Sequence, residues 1–156
     1  MIKNLERYKT DLDNLIKKGD LLWVALMVEY YPDVKTKFKK LLNDPEKLKI
    51  IPDFNKEYQL WYSEVLELIR QIIPSRLDDF INYYKPNAKS QRKEIDYENY
   101  TISDCLNGLV VTRGGQRVVG PEDAIKKLEQ QLNIVKSLKR KFESTLFDIQ
   151  QLLQAD

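Results

Sequence analysis

Apolar residues recur every three or four positions along most of the chain, and the longest such stripe closes it: Ile125, Leu128, Leu132, Val135, Leu138, Phe142, Leu146, Ile149 and Leu153. That spacing predicts one amphipathic helix over residues 121–155, about 50 Å long from the α-helical rise per residue. An apolar stripe must be covered. A helix this long outreaches a domain of this size, whose radius of gyration should be roughly 15 Å. Leu146, Ile149 and Leu153 are therefore expected to project and to form an interface, with a second copy in a two-fold homodimer as the simplest partner. No Gly or Asn cap closes the stripe. The chain is accordingly expected to be one helical domain, residues 1–156, the amino-terminal part of a longer protein whose missing carboxy-terminal domain is a further partner.

Upstream, Leu5, Tyr8, Leu12, Leu15 and Ile16 predict a helix over residues 4–18, with Gly19 placed to end it and Asp20 to cap the next. The run from Leu21 to Val28 is apolar on all sides and belongs in the core. Pro32 must kink or divide this second helix, after which Val34, Phe38, Leu41 and Leu42 resume an apolar face. Pro45 and Pro52 bracket a loop whose short apolar piece, Leu48 to Ile51, is expected to pack down. Tyr58, Trp61, Tyr62, Val65, Leu66, Leu68, Ile69 and Ile72 predict a helix over 55–73, and Pro74 divides it from another carrying Leu77, Phe80, Ile81 and Tyr84. Residues 85–96 are polar and aperiodic, which predicts a mobile loop, and helical spacing returns over 97–107. The one β signal is Leu109 to Val119, two β-branched runs around Gly114-Gly115, a short hairpin. Pro121, Glu122 and Asp123 suit a helix start. The prediction is an all-α fold, a bundle of about six helices with a long carboxy-terminal helix and one small β-hairpin.

Composition narrows the chemistry. The 26 basic and 24 acidic residues nearly cancel, so net charge gives no reason to expect nucleic acid or an anionic membrane as partner. There is no histidine and one cysteine, Cys105. That removes Ser-His-Asp and Cys-His catalysis and the usual zinc and di-iron sites. Neither a cofactor nor a catalytic or metal-binding residue is expected, and the chain reads as a non-enzyme. A buried, inert thiol is the expectation for Cys105, and Glu64/Glu67 and Asp78/Asp79 read as solvated helix faces. Ser90-Gln-Arg-Lys93 matches a serine acyl-enzyme motif in form only, without its companion motifs. The lone thiol and the absence of a signal peptide or spanning segment point to the cytoplasm and to no membrane partner.

Two groups of residues keep a binding reading. Arg113, Gly114, Gly115 and Arg117 are a candidate anion or partner contact, two guanidinium forks around a turn before a helix start; a purely structural hairpin is the stronger reading, since no P-loop ending follows and Glu122 and Asp123 would repel an anion. Lys35, Lys37, Lys39 and Lys40 form one basic cluster, and Lys136, Lys139, Arg140 and Lys141 another; solvated faces are the ordinary explanation. Tyr83 and Tyr84 beside Lys85 have the look of a base-stacking platform, with core packing preferred.

The stretch from Asp96 through Gly114, with Val118-Val-Gly-Pro-Glu-Asp-Ala124 and Phe142 to Asp156, resembles the amino-terminal part of a family of uncharacterised bacterial proteins whose carboxy-terminal part is similar to HEPN domains, a group associated with RNA cleavage and with defence or toxin systems. The HEPN hallmark pairs Arg with a nearby His, so none of its active-site residues carries over to a chain without His. The resemblance implies an accessory role. The expected function is a non-catalytic protein-interaction or oligomerisation module. The alternative is a nucleic-acid-contacting accessory domain that uses the lysine clusters and the Arg113/Arg117 hairpin.

Overall fold

The computed structural model describes residues 2–42, 49–87 and 92–154. Its elements are α1 (Ile2–Tyr30), α2 (Pro32–Leu42), α3 (Phe54–Ile72), a 3-10 turn (Pro74–Arg76), α4 (Leu77–Tyr84), α5 (Ile102–Leu106), strands β1 (Val111–Arg113) and β2 (Gln116–Val119), a second 3-10 turn (Pro121–Asp123) and α6 (Ala124–Gln154). This is the all-α bundle that the apolar periodicity predicts, with its long last helix and its small hairpin. Residues 43–48, including Pro45 and Leu48, and the side chains of Leu5, Leu41 and Leu42 lie outside the described set, as do Ser90 and Gln91.

The frame is set by α1 and α6, which run antiparallel. Cross-links along their length fix the direction: Trp23 Nε1 donates to Glu129 Oε1 at 3.0 Å, Lys136 reaches Asp20 at 3.5 Å, Lys139 reaches Asp13 at 2.9 Å, and Lys9 faces Glu143 at 3.9 Å. Onto this pair packs α3, touching both, and α4 packs against α6 and α3 together. The core at their junction holds Leu12, Leu22 and Leu26 of α1, Tyr58, Trp61, Val65 and Ile69 of α3, Phe80 of α4, and Leu128, Val135 and Leu138 of α6, each at most 1% exposed.

Gly19 does not end a helix. It lies buried within α1, which continues to Tyr30. A glycine in a helix interior costs about 1 kcal/mol. Burying Leu12, Leu15, Leu22 and Leu26 on the same helix contributes about 1.5–3 kcal/mol per side chain, so continuation wins. The missing side chain makes room: a Cβ on Gly19 would lie 2.5 Å from Leu132 Cδ2 and 3.0 Å from Trp61 Cζ2. In that gap the Trp61 indole N–H donates to the Leu15 carbonyl at 2.8 Å. The break comes at Tyr31, as the missing N–H of Pro32 requires.

The helix expected over 97–107 is shorter. Asp96 accepts hydrogen bonds from the Glu98 and Asn99 amides, at 2.9 and 3.2 Å, while the Asn99 side chain accepts from the Asp96 amide at 2.9 Å. Such side chains compete with the helical ladder. They hold residues 97–99 in a turn, and α5 starts only after Thr101, whose capping box with Asp104 satisfies both ends of the exchange. Ile51 is half-buried against the core, as expected of that apolar piece, whereas Ile50 is 62% exposed.

Candidate interaction surfaces

In the hairpin, Gly114 and Gly115 have φ of +57° and +77°, the pair of left-handed residues that a two-residue turn between twisted strands requires. Arg113 pairs with Glu94, upstream of α5, at 3.4 Å, and donates to the Ile95 carbonyl at 3.1 Å. Arg117 turns the other way and binds Glu122 at 2.6 Å. The candidate anion contact therefore has its two guanidinium groups directed apart, each onto a carboxylate of this chain. Asp123 accepts from the Gly120 amide at 2.9 Å and closes the turn before α6.

The end of α6 is different. Its apolar stripe is buried as far as Leu138; Phe142, Leu146 and Ile149 are half-buried, and Phe147, Leu152 and Leu153 are 59, 72 and 56% exposed. The Lys9–Glu143 pair places the first turns of α1 alongside, where Tyr8 is 48% exposed. The two helices thus leave the core together as an arm. Leu146, Ile149 and Leu153 lie on it, with Phe147 on a face outside the apolar stripe. The eleven residues 144–154 contain one charged side chain, Asp148, in a chain that is 32% charged.

The basic clusters separate in the same way. Lys136 and Lys139 are spent on Asp20 and Asp13 of α1. Lys35, Lys37, Lys39 and Lys40 are exposed on α2 and have no ion pair among the described residues. Of the acidic faces, Glu67 pairs with Arg70 and Asp79 with Arg76, all solvated.

The chain matches no protein-family model, no curated protein and no solved structure. The surfaces themselves carry the functional reading.

Polar groups inside the fold serve the fold. Gln131, fully buried on α6, accepts from the Tyr58 hydroxyl at 2.7 Å and donates to the Phe80 carbonyl at 3.0 Å, so it ties α3 and α4 to α6. Arg92, in the stretch expected to be a mobile loop, forks onto Asp104 at 2.5 and 3.1 Å. Burial opposes ionisation of Asp104, but the Arg92 fork and the bonds from Thr101 outweigh it and hold the carboxyl below its ordinary value. Burial, with Glu29 nearby, pushes the Cys105 thiol up to about 12. Such a thiol is a neutral packing group. Tyr62 is raised to about 12 by burial, and its ring stacks on Phe80 at 5.3 Å and meets Tyr84 edge-on at 4.3 Å. The aromatic pair Tyr83/Tyr84 is half-buried against the core.

A groove of about 880 Å³ runs between Met27, Tyr31, Tyr83, Tyr97 and the start of α6. Part of its polar rim is engaged: Glu122 with Arg117, Glu129 with Trp23, and the Lys127 ammonium with the Glu98 carbonyl at 2.6 Å. Neither Gln131 nor the Arg92–Asp104 fork was visible in the periodicity, because each partner comes from a different element or from an aperiodic loop. Among the described residues there is no cluster of three metal-ligating side chains, and no helix is long and apolar enough to cross a membrane.

Proposed function

We propose that this chain is a non-catalytic interaction module that docks a protein partner, in the simplest case a second copy of itself, through the two-helix arm. The observation that carries this reading is the apolar end of α6: Phe147, Leu152 and Leu153 exposed within two turns of half-buried Leu146 and Ile149. Scattered apolar side chains are ordinary on a surface, but a contiguous group marks a contact. Depletion of charge over 144–154 is the composition of an interface centre. The accessory role implied by the resemblance to proteins with a HEPN-like part agrees with it, since an arm of this kind assembles or positions another domain.

Light scattering with circular dichroism tests the proposal. The wild-type chain should be a dimer, and Ile149→Glu with Leu153→Glu should yield a folded monomer, because the core ends at Leu138 and Phe142. A wild-type chain that is monomeric at high concentration, or a double variant that unfolds, would refute it.

A further inference from the structure

We infer that α2 is a docking site for the phosphate backbone of a nucleic acid, held through Lys35, Lys37, Lys39 and Lys40. The site is independent of the arm. Its basis is local, since the near-neutral whole chain conceals it.

Three groups of basic residues are candidates for an anion, and internal pairing sorts them. Arg113 and Arg117 are each spent on a carboxylate, as are Lys136 and Lys139, which leaves Arg140 and Lys141 as the unpaired half of their cluster among the described residues, against four of four on α2. On α2 the four lysines face a single acidic residue of their own helix, Asp33, and none is paired among the described residues. Lys39 and Lys40, in the last turn, suit the helix dipole. That accounts for neither Lys35 nor Lys37. Lys35 also stands one turn from Lys39, a like-charge spacing that destabilises a helix when nothing neutralises it.

The placement of the helix decides what kind of anion fits. Among the described elements α2 packs to any extent only on α1. Its apolar residues Val34 and Phe38 are half-buried, while the lysines are exposed. At 3.6 residues per turn the lysines sweep about 200° of the helix surface, on the side away from Val34 and Phe38. A bilayer would need the apolar side presented between flanking lysines. Here the apolar residues Val34 and Phe38 turn to α1, and the outward side carries the four lysines with Thr36 and one acid, Asp33, a net cationic face that fits a line of phosphates.

The test is fluorescence anisotropy of the full chain with a labelled 20-nucleotide single-stranded RNA and a 20-base-pair DNA duplex, both of mixed sequence, titrated from about 50 to 200 mM salt. Both readings use one variant, Lys35→Gln, Lys37→Gln, Lys39→Gln and Lys40→Gln, since Gln keeps the helix propensity of Lys. Binding should be salt-dependent and indifferent to sequence. In the variant it should weaken at least about tenfold at the lower salt, with a slope of log K against log salt shallower by about 2, two to three phosphate contacts being lost. Unchanged circular dichroism confirms that the variant is folded, and whichever probe binds more tightly identifies the nucleic acid. The companion variant Arg113→Gln with Arg117→Gln should bind as the wild type does. No binding to either probe at about 50 mM salt, an undiminished quadruple variant, an equal loss in the arginine variant, or binding to phosphatidylserine vesicles in place of both oligonucleotides would each overturn the assignment.

Discussion

Gly19 shows how one residue type can carry two opposite messages. As a sequence feature it reads as a helix stop, because glycine tolerates the left-handed turn that ends helices. In the fold its missing side chain lets Leu132 and Trp61 both press against the backbone of α1. Gly19→Ala would gain about 1 kcal/mol of helix propensity but must displace Leu132, and overpacking costs about 1–3 kcal/mol. Net destabilisation is expected, read as a lower urea midpoint with an unchanged slope. Asp104 makes a second case. Its folded-state pKa lies below the unfolded value of about 3.9, so the stability it contributes is fully present above that value and is lost as pH falls through the folded-state pKa. Arg92→Ala removes the charged partner but leaves the Thr101 bonds, and should cost about 1.5–3 kcal/mol at neutral pH. The difference between variant and wild type should shrink on acidification below about pH 4, which thermal melts across pH can follow. Neither role was legible, since Leu132 is more than a hundred residues from Gly19, and Arg92 sits in a segment without any period.

At the scale of elements, periodicity succeeded where burial alone shapes the helix. Both α3 and α6 follow their predicted stripes, and the hairpin follows Gly114-Gly115. It failed over 97–101, where Asp96 and Asn99 capture backbone amides and override an apolar spacing that looked helical. Along α6 one apolar stripe passes from core to solvent, so chemically identical substitutions should differ by position. Leu138→Ala, at a fully buried site, should cost about 2–5 kcal/mol. Leu153→Ala, at 56% exposure, should alter the stability of a monomer by less than about 0.5 kcal/mol. Urea titrations at low protein concentration would compare the two, and equal costs would place Leu153 in the core. The emergence of Leu153 from the core was therefore legible as a stripe and a length. The arginines of the hairpin were legible only as candidates, because their carboxylate partners, Glu94 and Glu122, are set by the fold.

For the molecule as a whole, the expected chemistry is binding without turnover. The purified chain should show no nuclease or hydrolase activity with or without Mg²⁺. A metal-dependent nuclease signal that survives purification and vanishes in Glu64→Gln or Asp78→Asn would contradict this. The pairing of α1 with α6 also bears on how the chain is made. Trp23 and Glu129 are 106 residues apart, and synthesis proceeds at about 5–20 residues per second. For roughly 5–20 s after α1 leaves the ribosome, its principal partner does not yet exist. Leu12, Leu22 and Leu26 must wait through that interval without α6 to cover them, which makes the newly made amino-terminal half the stage at which a chaperone has most to protect.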